Sequence, residues 1–232
     1  MDTVNILSGG AAQGLVRGLT EAFRAQTGFA IDGEFSAVGA MADKLRAGAP
    51  ADLMILTQAL IARLAEEKLV VAASIADVGR VETALAVRSN DPRLTVRTES
   101  DLRDVLRAAD AIFVPDIKAS TAGRHVAKVL DQLGIAYELA SRLKIFSDGA
   151  TAMRELAASA AQRPIGCTQA TEIVATEGIA LLGPLPPGYE LVTMYTAGIT
   201  ERAAHPRQAA ALVALLAGAD QRELRQRVGF AG

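Results

Sequence analysis

Four segments of the chain place small and hydroxyl-bearing residues where a strand-like run gives way to a helical one. The first is Ser8-Gly9-Gly10-Ala11-Ala12-Gln13. Its glycines let the backbone turn tightly, and the following helix offers unpaired N–H groups at a positive dipole end. An anion placed there gains hydrogen bonds without a charged side chain. The loop lacks the Gly-Lys-Ser/Thr ending of a phosphate loop, and Gly10 and Gly14 are too loosely spaced for a dinucleotide fingerprint. The second segment, around Ser36, Ala37, Val38 and Gly39, has the same form. The third runs from Pro115 to His125, where Ser120 and Thr121 can cap a helix or donate to a ligand, and Arg124 can hold a carboxylate bidentately. In the fourth, Thr168 and Gln169 leave a strand just ahead of Glu172, which either serves a ligand site or complements a helix N-terminus. Tyr195, on the last extended run, completes the set of binding candidates.

Other chemistries find less support. No Gly-x-Ser-x-Gly elbow accompanies the serines, and His205 lies beside Pro206, so a hydrolase triad is not expected. The single Cys167 ends an apolar strand and is expected to be a buried small hydrophobe; it excludes an internal disulfide. His, Cys and carboxylates do not cluster, so neither a metal nor another cofactor is expected. His125 reads as a surface residue at a helix start. If the protein moves a proton, His125, Asp116, Glu172 and Lys118 are the base candidates.

These segments need a frame to hold them. Val4–Leu7, Ala30–Phe35 and Asp52–Leu56 have strand character, and helical spacing follows each at Leu15/Leu19/Phe23, Met41–Ala47 and Ile61/Leu64. The pattern restarts with Val81–Arg88, a helix that Ser100 caps, a strand over Ile112–Pro115 and a helix from Ala122 to Leu133. Then come a helix over Ala150–Ser159, strands Pro164–Cys167 and Ile179–Leu182, an extended run Tyr189–Ala197 and two terminal helices. Such alternation predicts mostly parallel sheets with helices on their faces. Gly183-Pro184-Leu185-Pro186-Pro187-Gly188 reads as a linker. The expected division is one lobe of residues 1–81 plus 196–232 and a second of 82–195. Two extended crossings would act as a hinge, and a ligand cleft would lie between the lobes.

Composition narrows the partners. The chain has 232 residues, 24 Lys+Arg against 26 Asp+Glu and a net charge of −2, with half its residues apolar. Balanced charge argues against nucleic acid and lipid surfaces, which require a basic face. No apolar run approaches the roughly 20 residues of a membrane span, so direct membrane insertion is not expected.

Leu45-Arg46-Ala47-Gly48-Ala49-Pro50-Ala51-Asp52-Leu53 resembles a signature of the molybdate-binding family of bacterial solute-binding proteins. Phe23 with Thr27-Gly28, the loop ahead of Gly123, Pro164-Ile165-Gly166 ahead of Gln169, and Gly183-Pro184-Leu185-Pro186 fall in the family's order. The resemblance covers nearly the whole chain. It implies an α/β chain with the two-lobed type 2 periplasmic-binding-protein fold, binding a small anion for an ABC transporter permease, as a monomer. It also implies a periplasmic location if a signal peptide has been removed, and a cytoplasmic one if Met1 is the native start. In molybdate binders the first two loops supply serines to a tetrahedral oxyanion; the matching positions here are Ala11 and Ala37-Val38. A larger anion, such as an organic carboxylate, is therefore expected. Aconitate isomerase is similar to this family, so a proton shift on a small tricarboxylate is the alternative.

Overall fold

The computed structural model describes residues 2–231. It divides into two compact units: one runs up to Val81 and resumes at Thr193, and the other is Glu82–Val192.

The first unit begins with β1 (Thr3–Gly9), a single 3-10 turn over Gly10–Ala12, and α1 (Gln13–Thr27). Next come β2 (Ala30–Ser36), α2 (Val38–Arg46), β3 (Leu53–Thr57) and α3 (Gln58–Glu66). The long β4 (Ala76–Arg88) carries the chain across the division. In α1, Leu15, Leu19 and Phe23 recur every four residues and are fully buried. That spacing makes one apolar stripe on a helix, and burying it against the sheet drives the helix to form.

The second unit continues with α4 (Glu99–Ala108), β5 (Ala111–Pro115), α5 (Thr121–Gln132), α6 (Ala136–Leu139) and β6 (Leu143–Phe146). It ends with α7 (Gly149–Ala158), β7 (Pro164–Gln169), α8 (Ala170–Val174) and β8 (Ile179–Pro184). The chain then returns through β9 (Val192–Ile199) to α9 (Pro206–Ala217) and α10 (Arg222–Arg227).

The sheets are mostly parallel, as the alternation predicts, with one reversed strand in each unit. In the first unit β1 lies parallel to β2 and β3, but β9 runs antiparallel to β3. In the second, β5 is parallel to β6 and β7, while β4 is antiparallel to β7 and β8. The one reversed strand in each unit is β9 or β4, the two that carry the chain between units; β8, antiparallel to β4, runs in the same direction as β5, β6 and β7. The parallel members arise from strand–helix–strand connections, which return each strand in the same direction.

Local details also differ from the sequence reading. Thr98, not Ser100, caps α4: its hydroxyl accepts from Asp101 N–H at 3.1 Å while Asp101 accepts from Thr98 N–H at 3.0 Å. The reciprocal box requires an acid three residues after the cap, and Ser100 has Arg103 there. Strand β6 and helix α6 were not anticipated, because a four-residue strand with an exposed Lys144 shows no clear period. Tyr189 closes a turn onto the Pro186 carbonyl at 3.0 Å, so the last strand starts at Val192. The Pro/Gly-rich stretch is a pinned turn within the second unit, since Leu185 is 3% exposed in that unit's core.

Candidate functional site

Each βα connection puts a helix N-terminus at the carboxyl end of a strand, the edge at which α/β sheets bind ligands. In the first unit the register aligns Gly9 with Ser36, and Thr57 with Tyr195. A methyl group on Gly9 would meet Val38 Cγ1 at 2.7 Å and the Tyr195 ring at 3.0 Å. The end of β1, the first turn of α2 and β9 therefore converge, bringing Gly9, Val38 and Tyr195 together. Around them α1, α2 and α3 start without a side-chain cap, from Ala12, Ala37 and Thr57. Their first N–H groups thus lack the usual side-chain acceptor.

The other first-unit candidates are placed as follows. Ser8 is fully buried and its hydroxyl points inward, 2.9 Å from the Gly9 carbonyl and 3.3 Å from that of Ile55. Its single proton is committed to the backbone. Ala11 and Ala12 are buried in the 3-10 turn, whereas Gly10, Ser36 and Gly39 are partly open.

In the second unit β5, β6 and β7 lead into α5, α7 and α8. Thr168 and Gln169, the last two residues of β7, lie opposite Ala84 and Thr83 of β4. Gln169 is 3% exposed, and neither atom of its carboxamide makes a hydrogen bond. The buried hydroxyls of Thr83, Thr121 and Thr171 are likewise unpartnered. An unmade hydrogen bond at a buried polar group costs about 1–3 kcal/mol, which makes these groups candidates for bonds to a ligand. Because α8 is short and starts at Ala170, its polar residues stay close to the strand end.

On the other face of β7, Thr168 donates its hydroxyl to Glu172 Oε2 at 2.5 Å. Gly149, which opens α7, has no room for a side chain, because a Cβ there would overlap Glu172 Oε2 and Thr168 Oγ1. Burial pushes the Glu172 carboxyl up to about 7, the neighbouring Asp148 adds to the rise, and the Thr168 hydroxyl and Gln169 N–H partly oppose it. Asp148 itself caps α7, accepting from Thr151 N–H at 2.8 Å.

The remaining candidates serve the loop itself. Asp116 accepts from Lys118 N–H at 2.6 Å and Ala119 N–H at 2.8 Å, which hold its carboxyl below the ordinary range and make it a poor base. Ser120 accepts from Gly123 N–H at 3.4 Å, a weak cap. Arg124 is exposed and donates to the Lys118 carbonyl at 3.0 Å, and Lys118 is exposed. His125 is half-buried rather than a surface residue, because its Nε2 lies 2.7 Å from the Tyr189 carbonyl. Cys167 is buried, and burial lifts its thiol to about 12, which leaves it inert at neutral pH.

The sequence reading missed Thr83, Asp148, Gly149 and Thr171. Asp148-Gly149 followed by Thr151 is a legible cap signal. Thr83 and Thr171 carry no local signal, as strand pairing and burial alone single them out. Among the described residues there is no group of three His, Cys, Asp or Glu able to hold a metal ion, and no helix long and apolar enough to cross a membrane.

Comparison with known proteins places this geometry. Aconitate isomerase from a Pseudomonas species is 26% identical over 229 residues, covering 94% of this chain and 83% of that protein. The periplasmic molybdate-binding protein of Azotobacter vinelandii is 18% identical and superposes with a TM-score of 0.81 over 99% of both chains. The sulfate-binding protein SubI of Mycobacterium tuberculosis H37Rv, also 18% identical, gives 0.77 over 99% of this chain and 86% of that one. At these identities the two structures show a shared fold, that of the type 2 periplasmic binding proteins. Residues 4–231 match the family described as bacterial extracellular solute-binding proteins, and the chain belongs to that family.

Proposed function

We propose that the protein binds a small organic carboxylate and delivers it to an ABC transporter permease. The observation that carries the reading is the unpartnered carboxamide of Gln169, buried beside the unpartnered hydroxyls of Thr83 and Thr171 at strand ends. A carboxamide and hydroxyls both donate and accept, so they suit a ligand that mixes carboxylates with hydroxyl or un-ionised groups. In the first two loops Ala11, Ala37 and Val38 carry no hydroxyl and Ser8 is committed to backbone carbonyls, which leaves the partly open Ser36 as their one hydroxyl for a compact oxyanion. Transport as the purpose follows the family description and the molybdate- and sulfate-binding relatives.

A thermal-shift panel of citrate, cis- and trans-aconitate, molybdate, sulfate and phosphate tests the reading. A ligand at about a hundred times its Kd adds about 2.7 kcal/mol, which raises the midpoint of a chain this size by about 5–10 °C. The expected result is a shift with one or more tricarboxylates that Gln169→Leu removes. A shift confined to molybdate or sulfate, or none at all, would overturn it.

A second reading, a proton shift on aconitate, assigns the base to Glu172, a buried carboxyl that accepts from the Thr168 hydroxyl and that burial pushes up to about 7. The similarity to the Pseudomonas aconitate isomerase supports it. Deuterium uptake into aconitate in heavy water, abolished in Glu172→Gln, is its expected signature. No uptake above the buffer rate rejects it.

A further inference from the structure

The second unit holds an apolar pocket of about 390 Å³ at the opposite end of its sheet from Gln169. Pro164 and Ile165, which line it, open the six-residue strand β7 that Gln169 closes, so about 16 Å of strand lies between the two ends. Val87, Leu94, Val105 and Ala108 complete the apolar lining. The sequence of α4 explains the space. Leu102 and Leu106 are buried in the unit's core, whereas Asp104, Val105 and Ala108, three or four residues apart, share the neighbouring face. Val105 and Ala108 are too small to fill what lies above them. Leu94, 40% exposed, leaves an apolar side chain at the mouth.

Hydrogen bonds fix the walls. Arg88 donates Nε and Nη2 to the two carboxylate oxygens of Asp91, at 2.8 and 3.0 Å, and Nη1 to the Ser159 carbonyl at 2.6 Å. Arg93, beside Leu94, donates to the Leu181 carbonyl at 3.0 Å. Asp110 accepts from the N–H groups of Gln162 and Arg163 at 2.8 and 3.1 Å. A pocket held open in this way binds without the entropy cost of ordering its walls. Its volume falls within the range of about 300–1,000 Å³ that small-molecule sites occupy. Water inside meets few polar partners, so its exchange for an apolar guest is favourable.

Charge at the rim narrows the guest. Asp91 is matched by Arg88, and Arg163 stands in the field of Asp110. Asp104 is exposed, and among the described residues its carboxylate makes no hydrogen bond or ion pair. The unmatched charge at the mouth is therefore negative, which disfavours an anion. We propose that this pocket is a second binding site, taking a small, mainly apolar molecule that carries no anionic group. It stands apart from the carboxylate reading, whose residues lie at the other end of β7.

Fluorescence titration of the full chain with N-phenyl-1-naphthylamine, an uncharged aromatic amine that brightens on leaving water, tests this. One saturable site with a Kd of about 100 μM or tighter is expected. Ala108→Phe puts a ring into the pocket from an exposed position, and Leu94→Asp puts a charge at its mouth. Each should weaken the amine about tenfold or more, with circular dichroism checking that both variants fold. Tyr137→Ser, which removes an exposed ring outside the pocket, should leave the affinity unchanged. The anionic relative 1-anilinonaphthalene-8-sulfonate should bind about tenfold more weakly, and citrate should not displace the amine. Absence of saturable binding, equal affinity in the wild type and both pocket variants, preference for the sulfonate, or displacement by citrate would each overturn the proposal. A dimer in sedimentation equilibrium that Leu94→Asp dissociates would seat a second copy of the chain on the pocket and overturn it too.

Discussion

Glu172→Gln also makes a prediction about stability that needs no ligand. The ordinary value for this carboxyl is 4.5, and in the folded protein burial pushes it up to about 7. Between those values the folded chain holds a proton that the unfolded chain has released, so stability falls as pH rises. The stabilisation from protonated Glu172 is complete below about 4.5 and gone above about 7. The gap corresponds to a loss on the order of 3 kcal/mol, with little solvent screening because the side chain is almost fully buried. For a chain of this length that is about 6–12 °C in Tm. Glutamine cannot ionise, and every other titrating group is common to both proteins. The difference in Tm between wild type and Glu172→Gln should therefore swing by that amount between about pH 5 and about pH 8, with the variant gaining at the alkaline end. Thermal melts followed by circular dichroism across this range provide the assay. Parallel curves would show that Glu172 titrates at its ordinary value, and the burial argument would be wrong.

Two further predictions concern the framework. Asp52 is 1% exposed, and its two oxygens accept from Asn5 N–H and His205 N–H, both at 2.8 Å, tying β1 to the start of α9 within one unit. Asp52→Ala should cost about 2–5 kcal/mol in urea unfolding, and a loss under about 1 kcal/mol would refute that role. Cys167, 3% exposed with its thiol near 12, should resist a thiol reagent in the folded protein and react fully once the chain is unfolded in urea; rapid labelling under native conditions would contradict its placement in the core.

Much of the architecture is written in local pattern. Leu15, Leu19 and Phe23 declare the first helix, and the strand–loop–helix joints after Leu7 and Phe35 declare helix starts at one sheet edge, because hydrophobic period and turn chemistry act over a few residues. The Ala49-Pro50-Ala51-Asp52 run carried the family, and Asp52 is seen to clamp two backbone N–H groups. Gln169 could be picked out as the residue leaving a strand. That its carboxamide is buried without a partner follows only from strand pairing that seats it opposite Thr83. The direction of β4 and β9 was hidden for the same reason, since antiparallel and parallel partners of a buried strand look alike in sequence.

Glu172 shows the division most clearly. By sequence alone it is an acid in the first turn of a helix, a position with an ordinary electrostatic explanation. In the folded chain, Gly149 leaves the space that brings it onto α7, Thr168 and Gln169 bond it, and Asp148 adds its field. Residue type determined that a carboxyl would stand there. Its protonation near neutral pH was decided by packing, because desolvation depends on what surrounds a charge in space, and Asp148 and Gly149 come from a segment more than 20 residues away in the chain.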